Sequence, residues 1–252
     1  VLVANSGPGF GGGYSLEFGG TDGGGNPSSG QLDGIAKMAQ VIFRNSKMNE
    51  KNWEAIEKML EKILDNCLGR GLYNGLKNVL DRKTLIIEYD TEKPSYFGFT
   101  PNKGDAGISL NTFTKSDVLF HEMFHAFQSY QETAESNAQY QLNREIETWY
   151  AQYLYAKNLP DYKAGQEYYE IINRTKLGQS IRGLEQYVDR KGNLVKDRAN
   201  DELNLQLIKT EHFLHQIIDN DGKNPYSKYQ FDESRFGIEN FKTLKKISSN
   251  CK

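Results

Sequence analysis

The sequence predicts an α+β fold, mostly helical, with a small antiparallel-containing sheet just ahead of one strongly apolar helix. Three observations predict it. Apolar residues recur at helical spacing from Gln31 to Leu80 and again after Ala138. Short β-branched and aromatic runs cluster between Thr84 and Asn111. Between them and the later helices, Val118–Gln128 (VLFHEMFHAFQ) is apolar almost all round, which implies a buried helix.

Each element follows in chain order. Residues 1–30 carry glycine runs at Gly11–Gly13, Gly19–Gly20 and Gly23–Gly25, broken by Pro8 and Pro27. Such a segment buries too little apolar area to offset the entropy of ordering, so a flexible Gly-rich leader is expected, followed by a single domain over 31–252. Neither GxGxxG nor GxxxxGK[ST] stands ahead of a helix in it, which removes a phosphate-cradling loop. Leu32, Ile35, Ala39 and Ile42 form a first helical stripe. Trp53, Ile56, Leu60, Ile63, Cys67 and Leu68 form a second, ending at Gly69, and Leu72, Leu76 and Leu80 a third. Strands are expected at Thr84–Tyr89, Tyr96–Thr100 and Gly107–Asn111, the last two joined as a hairpin through Pro101, Asn102 and Gly104. Ser116 is placed to cap the helix that follows. Helices are expected again over Ala138–Lys157 and Asp201–Asp219, and the tail from Asn220 carries no site signature.

Composition narrows the function. The 252 residues are long enough for a substantial core, and a net charge of −2 gives no electrostatic reason to expect nucleic acid or an anionic membrane as partner. No run approaches the roughly 20 apolar residues of a bilayer span. Cys67 reads as a small core residue and Cys251 as part of a frayed end, so the two are not paired on sequence grounds. The chain opens at Val1 with no basic-then-apolar leader, as a mature product or a piece of a longer polypeptide would. Asn173-Arg174-Thr175 fits a glycosylation acceptor. A secreted, cell-surface or periplasmic location is the expectation.

The chemistry lies in HEMFH. On a helix, His121 and His125 stand one above the other and aim two imidazoles at one point. Glu122 sits about 100° round the helix, out of line as a ligand but within reach of a water on the metal. An HExxH string arises by chance in about one chain in a hundred of this length, and burying two imidazoles and a carboxylate without partners is costly, so a functional reading is favoured over an accidental one. With these residues the chain resembles the zincin metallopeptidases, in which zinc lowers the pKa of its water to about 7 and the glutamate takes the proton. The resemblance covers Thr84 to Ala156 and implies a zincin-like fold, a zinc cofactor, and Glu122 as general base in peptide-bond hydrolysis. It also implies an edge strand along the cleft on which an extended peptide pairs, here nominated as Gly107–Asn111.

A third ligand is needed. Glu145 and Glu147 both qualify but point about 200° apart on a helix. Glu145 lies in the buried stripe with Leu142 and Trp149, whereas Glu147 neighbours Asn143 and Arg144 on what reads as the wetter side, so Glu145 is chosen and Glu147 held in reserve. Glu132 and Glu135 follow the motif too closely to turn back. A glutamate on a separate helix resembles the gluzincins. That family often sets an aspartate four residues beyond its ligand glutamate to orient the first histidine; here the position is Trp149. His212 and His215 are read as helix-surface residues, with a proton-donor role or a second metal pair as the functional alternative. The glycine-rich leader resembles those of effector domains released from large secreted bacterial toxins. Two rival readings stay open: a non-proteolytic zinc-bearing adhesion module, its site closed by His212 or Glu147, and a metal-free helical interaction domain.

Overall fold

The computed structural model describes residues 37–80, 84–91, 95–100, 105–111, 115–133, 139–218, 222–249 and 251. The expected Gly-rich leader and the hairpin turn at 101–104 lie outside them.

Helix α1 (Lys37–Ile42) leads into α2 (Glu50–Asp65) and α3 (Cys67–Val79). Asn49 starts α2, its side-chain oxygen accepting the Asn52 N–H at 2.8 Å. Asn66 then breaks the run earlier than Gly69: its extended backbone ends α2, and its Oδ1 accepts the Leu68 N–H at 2.9 Å to begin α3. An Asn side chain that can satisfy a helix terminus outweighs the continuous apolar stripe that suggested one longer helix. Glycines let α3 lie tight on its neighbours. A Cβ on Gly75 would stand 2.8 Å from the Phe127 ring of the following central helix, and one on Gly71 only 1.8 Å from the Ile247 carbonyl oxygen.

Strands β1 (Thr84–Tyr89), β2 (Tyr96–Thr100) and β3 (Asp105–Leu110) form a sheet in the order β1-β3-β2. β2 pairs antiparallel with β3, Phe97 opposite Ile108, as expected of the hairpin. β1 pairs parallel with β3, Ile87 opposite Ile108, so the sheet is mixed. The segment nominated as a free edge is therefore the central strand, hydrogen-bonded on both sides. The alternation of Ile108 and Leu110 marks a strand but says nothing of its place in the sheet, and the apolar faces of β1 and β3 meet under the helices.

Helix α4 (Ser116–Gln131) is buried from Val118 to Tyr130 and packs against α2, α3, β2 and β3. Ser116 is its first residue rather than its cap, a place taken by Lys115; its hydroxyl accepts the Tyr155 OH at 2.9 Å. Helix α5 (Gln141–Ala156) is buried from Leu142 onward and lies along α4 in the opposite direction, since contacts run from Ser116–Tyr155 through His121–Gln152 to Gln128–Arg144. Helices α6 (Glu167–Arg174), α7 (Lys176–Gly183) and α8 (Asn200–Leu214) follow, and a 3-10 turn at Gly237–Phe241 runs into α9 (Lys242–Ser248).

Cys67 and Cys251 form a disulfide with Cα atoms 5.7 Å apart, correcting the unpaired reading. α9 packs on α3 at Gly71, which carries the chain end back to the start of α3; a separation of 184 residues hides that proximity in the sequence. Closing so long a loop restricts the unfolded chain. Removing the bond by Cys67→Ser should lower unfolding stability by about 2–5 kcal/mol. Denaturant midpoints of the two proteins measure it, and equal midpoints would contradict the pairing.

Candidate metal centre

Two antiparallel helices build the site. From α4 come His121, Glu122, His125 and Gln128; from α5 come Glu145, Thr148 and Gln152. All are buried. His121, His125 and Gln128 follow one face of α4 at i, i+4 and i+7, and Glu145, Thr148 and Gln152 one face of α5 at i, i+3 and i+7, so the two seams meet. Phe120 stacks on Tyr155 with ring centroids 4.6 Å apart and fixes the register of the two helices.

The hydrogen bonds set the protons. Gln128 Nε2 donates to the Arg144 carbonyl at 3.2 Å and to Glu147 Oε2 at 2.9 Å, which turns its Oε1 to His125 Nδ1 at 3.1 Å. Gln152 Nε2 faces Asp117 Oδ2 at 3.4 Å, which turns its Oε1 to His121 Nδ1 at 2.8 Å. An amide oxygen only accepts, so each Nδ1 carries its hydrogen and each Nε2 offers a lone pair. Those two Nε2 atoms are 3.1 Å apart. Glu145 closes the figure, Oε1 at 3.3 Å from His125 Nε2 and Oε2 at 4.0 Å from His121 Nε2. Neutral imidazoles in this tautomer place no N–H between them.

Three buried acceptors converging on one point suit a cation. Zinc bonds of about 2.0–2.2 Å at tetrahedral angles put ligand atoms about 3.3 Å from one another. The observed separations of 3.1, 3.3 and 4.0 Å bracket that value. His121, His125 and Glu145 thus form a candidate metal site. Electrostatics agree with it. Burial, and then the neighbouring His125, push the His121 pKa down to about 3, leaving its ring neutral at pH 7. Burial alone would raise Glu145, but positive charge at His125, with its hydrogen bond, and at His121 and Arg144 holds the carboxyl below its ordinary value; with both imidazoles neutral, a bound cation would supply that charge instead.

Glu122 stands apart from the three. Both of its oxygens are buried without a hydrogen-bond partner. Burial, with the charge of Glu145 added, pushes its pKa far up. The Phe97 N–H of β2 is turned towards it and opposes that rise, without closing a hydrogen bond.

The remaining candidates lie elsewhere. Glu147 is fully buried rather than on a wetter side, and faces away from the histidines: its Oε1 accepts the Thr243 and Leu244 N–H groups at 2.7 and 2.8 Å, at the start of α9. Glu132 is held by Arg235 at 2.9 Å and Lys242 at 2.7 Å. Glu135 falls outside the described residues. His212 on α8 and His215 at its C-cap are exposed, bonded to Gln216 and Glu211 respectively, and outside the candidate metal cluster.

Several residues at the site carry no motif. Gln152 takes the orienting role that the sequence left open at Trp149, and Gln128 does the same for His125. Their i+7 and i+3 spacing from Glu145 and His125 was the available signal. The tail expected to lack a signature delivers Tyr226, which is fully buried. The Trp149 indole N–H is turned to its hydroxyl, and burial and then the charge of Glu145 push its pKa up. Tyr229 is raised in the same way, again by burial and then Glu145.

No family model, curated protein or solved structure matches the chain. The site therefore stands on its own geometry. Orienting partners of metal-ligating histidines are typically worth about 10- to 100-fold in metal affinity. Gln152→Ala should weaken metal binding by that factor while leaving far-UV circular dichroism unchanged. Competition with a chromophoric chelator reads it, and an unchanged affinity would contradict the role of Gln152.

Proposed function

We propose that the chain is a zinc-dependent hydrolase of peptide bonds, with His121, His125 and Glu145 as metal ligands and Glu122 as general base. One observation carries the reading: two imidazole lone pairs 3.1 Å apart share their point of aim with a buried carboxylate. Zinc suits this nitrogen and carboxylate donor set; when bound through three protein ligands it supplies Lewis acidity and a water ionising near pH 7. Glu122 has both oxygens buried without a hydrogen-bond partner, and burial and Glu145 favour its protonated form. The positive charge of a bound zinc would offset them, and the ionised carboxylate would then take a proton from such a water and pass it to the leaving amine. Tyr226 and Tyr229, near enough for the charges of Glu145 and Glu122 to be felt at their hydroxyls, are the proposed donors to a developing oxyanion.

The sheet suggests how substrate arrives. β2 is an outer strand, and its Phe97 N–H is turned to Glu122. An extended peptide adding to the outer edge of β2 would run past the general base. No helix among the described residues is long and apolar enough to cross a membrane, and a disulfide belongs to an oxidising compartment, so a secreted or cell-surface enzyme is the proposed setting.

Elemental analysis tests the reading. Protein made with ample metal should hold about one zinc per chain. His121→Ala or His125→Ala should lose it. Glu122→Gln should keep it while hydrolysis of a peptide library falls by about 100-fold or more. A metal-free wild-type protein, with a melting curve indifferent to chelator, would overturn the proposal.

A further inference from the structure

We propose a second binding site: a cavity behind Gln152 that takes the cationic end of a guanidinium or alkylammonium group. Its position follows from His121, whose Nε2 faces the metal point while its Nδ1 faces Gln152, a wall of the cavity. Trp149 is the other shared wall, its ring edge-on to His121 with centroids 5.8 Å apart. The cavity is therefore separate from the metal centre and adjoins it.

Size and lining select the ligand. A volume of about 260 Å³ falls just below the range of about 300–1,000 Å³ usual for drug-sized ligands, and fits one side chain or a small amine. Tyr162, Tyr168 and Tyr169 line it with Trp149, and Trp149 and Tyr168 stack with planes 12° apart. Aromatic faces attract cations. The two lysines at the cavity are already matched: Lys62 lies 3.5 Å from Asp161, and Lys115 is bonded to Glu167. Asp117 is the carboxylate left over. Among the described residues it makes no ion pair: its side chain meets the Gln152 amide at 3.4 Å and is turned to the Asp117 and Val118 N–H groups at the start of α4. Burial raises its pKa against these contacts and the nearby Lys115, so that a cation in the cavity would relieve a poorly solvated carboxylate. An anion would find both lysines engaged, whereas a cation finds one carboxylate without an ion-pair partner beside aromatic rings.

The test is calorimetric titration with Nα-acetyl-arginine amide, with its neutral citrulline counterpart, and with agmatine. The arginine probe should bind about tenfold more tightly than the citrulline one, and Asp117→Asn, which keeps the contact to Gln152, should erase that difference. Tighter binding of agmatine would assign the site to a free amine, and tighter binding of the acetylated amide to a peptide side chain. Should Asp117→Asn lose native circular dichroism, Tyr162→Leu carries the same comparison through loss of a ring. The preference should persist in chelator-treated protein, so that a chain without zinc still reports on the cavity. Equal affinity for the charged and neutral probes, or an unaltered preference in the folded variant, would overturn the assignment.

Discussion

Two imidazole nitrogens of like character, held 3.1 Å apart inside the protein, are the constraint around which the rest is arranged. Lone pairs do not approach one another so closely in an apolar interior without compensation. Each ring is denied the rotation or proton shift that would relieve the contact, because a glutamine oxygen faces its Nδ1. Glu145 adds charge of the sign a cation needs. A metal ion at this candidate site would resolve all three interactions at once.

Holding that arrangement takes more of the chain than the two helices that supply the ligands. Gln128 is oriented by Glu147, and Glu147 is fixed by the first amides of α9. α9 is laid on α3 by the absence of a side chain at Gly71, and the chain end is tied to α3 by the Cys67–Cys251 disulfide. Arg235 links Glu132 and Glu147 from the same terminal segment, with guanidinium contacts at 2.9 and 3.6 Å. These charged residues are buried but grouped, which is how buried charge is tolerated. Pieces far apart in sequence thereby bear on the position of His125.

Much of this was legible in the sequence, and what was hidden was hidden for identifiable reasons. Helical periodicity located α2, α4 and α5, and the β-branched runs located all three strands, because each signal is local. HEMFH named the two histidines and Glu122. The apolar stripe through Leu142 and Trp149 favoured Glu145, whose carboxylate does lie beside both rings. The same stripe misjudged Glu147, since α5 is buried on every side and a charged neighbour there signals an internal network rather than solvent. Strand order, the disulfide and the approach of Tyr226 depend on contacts between distant segments, which alternation and spacing do not encode.

X-ray absorption at the zinc edge, on protein purified without chelator, bears most directly on the central claim. The expected spectrum shows two imidazole nitrogens and carboxylate or water oxygens at about 2.0–2.2 Å, with no sulfur. A shell containing sulfur, a single imidazole, or no zinc edge at all would contradict the convergence of His121, His125 and Glu145 on one ion.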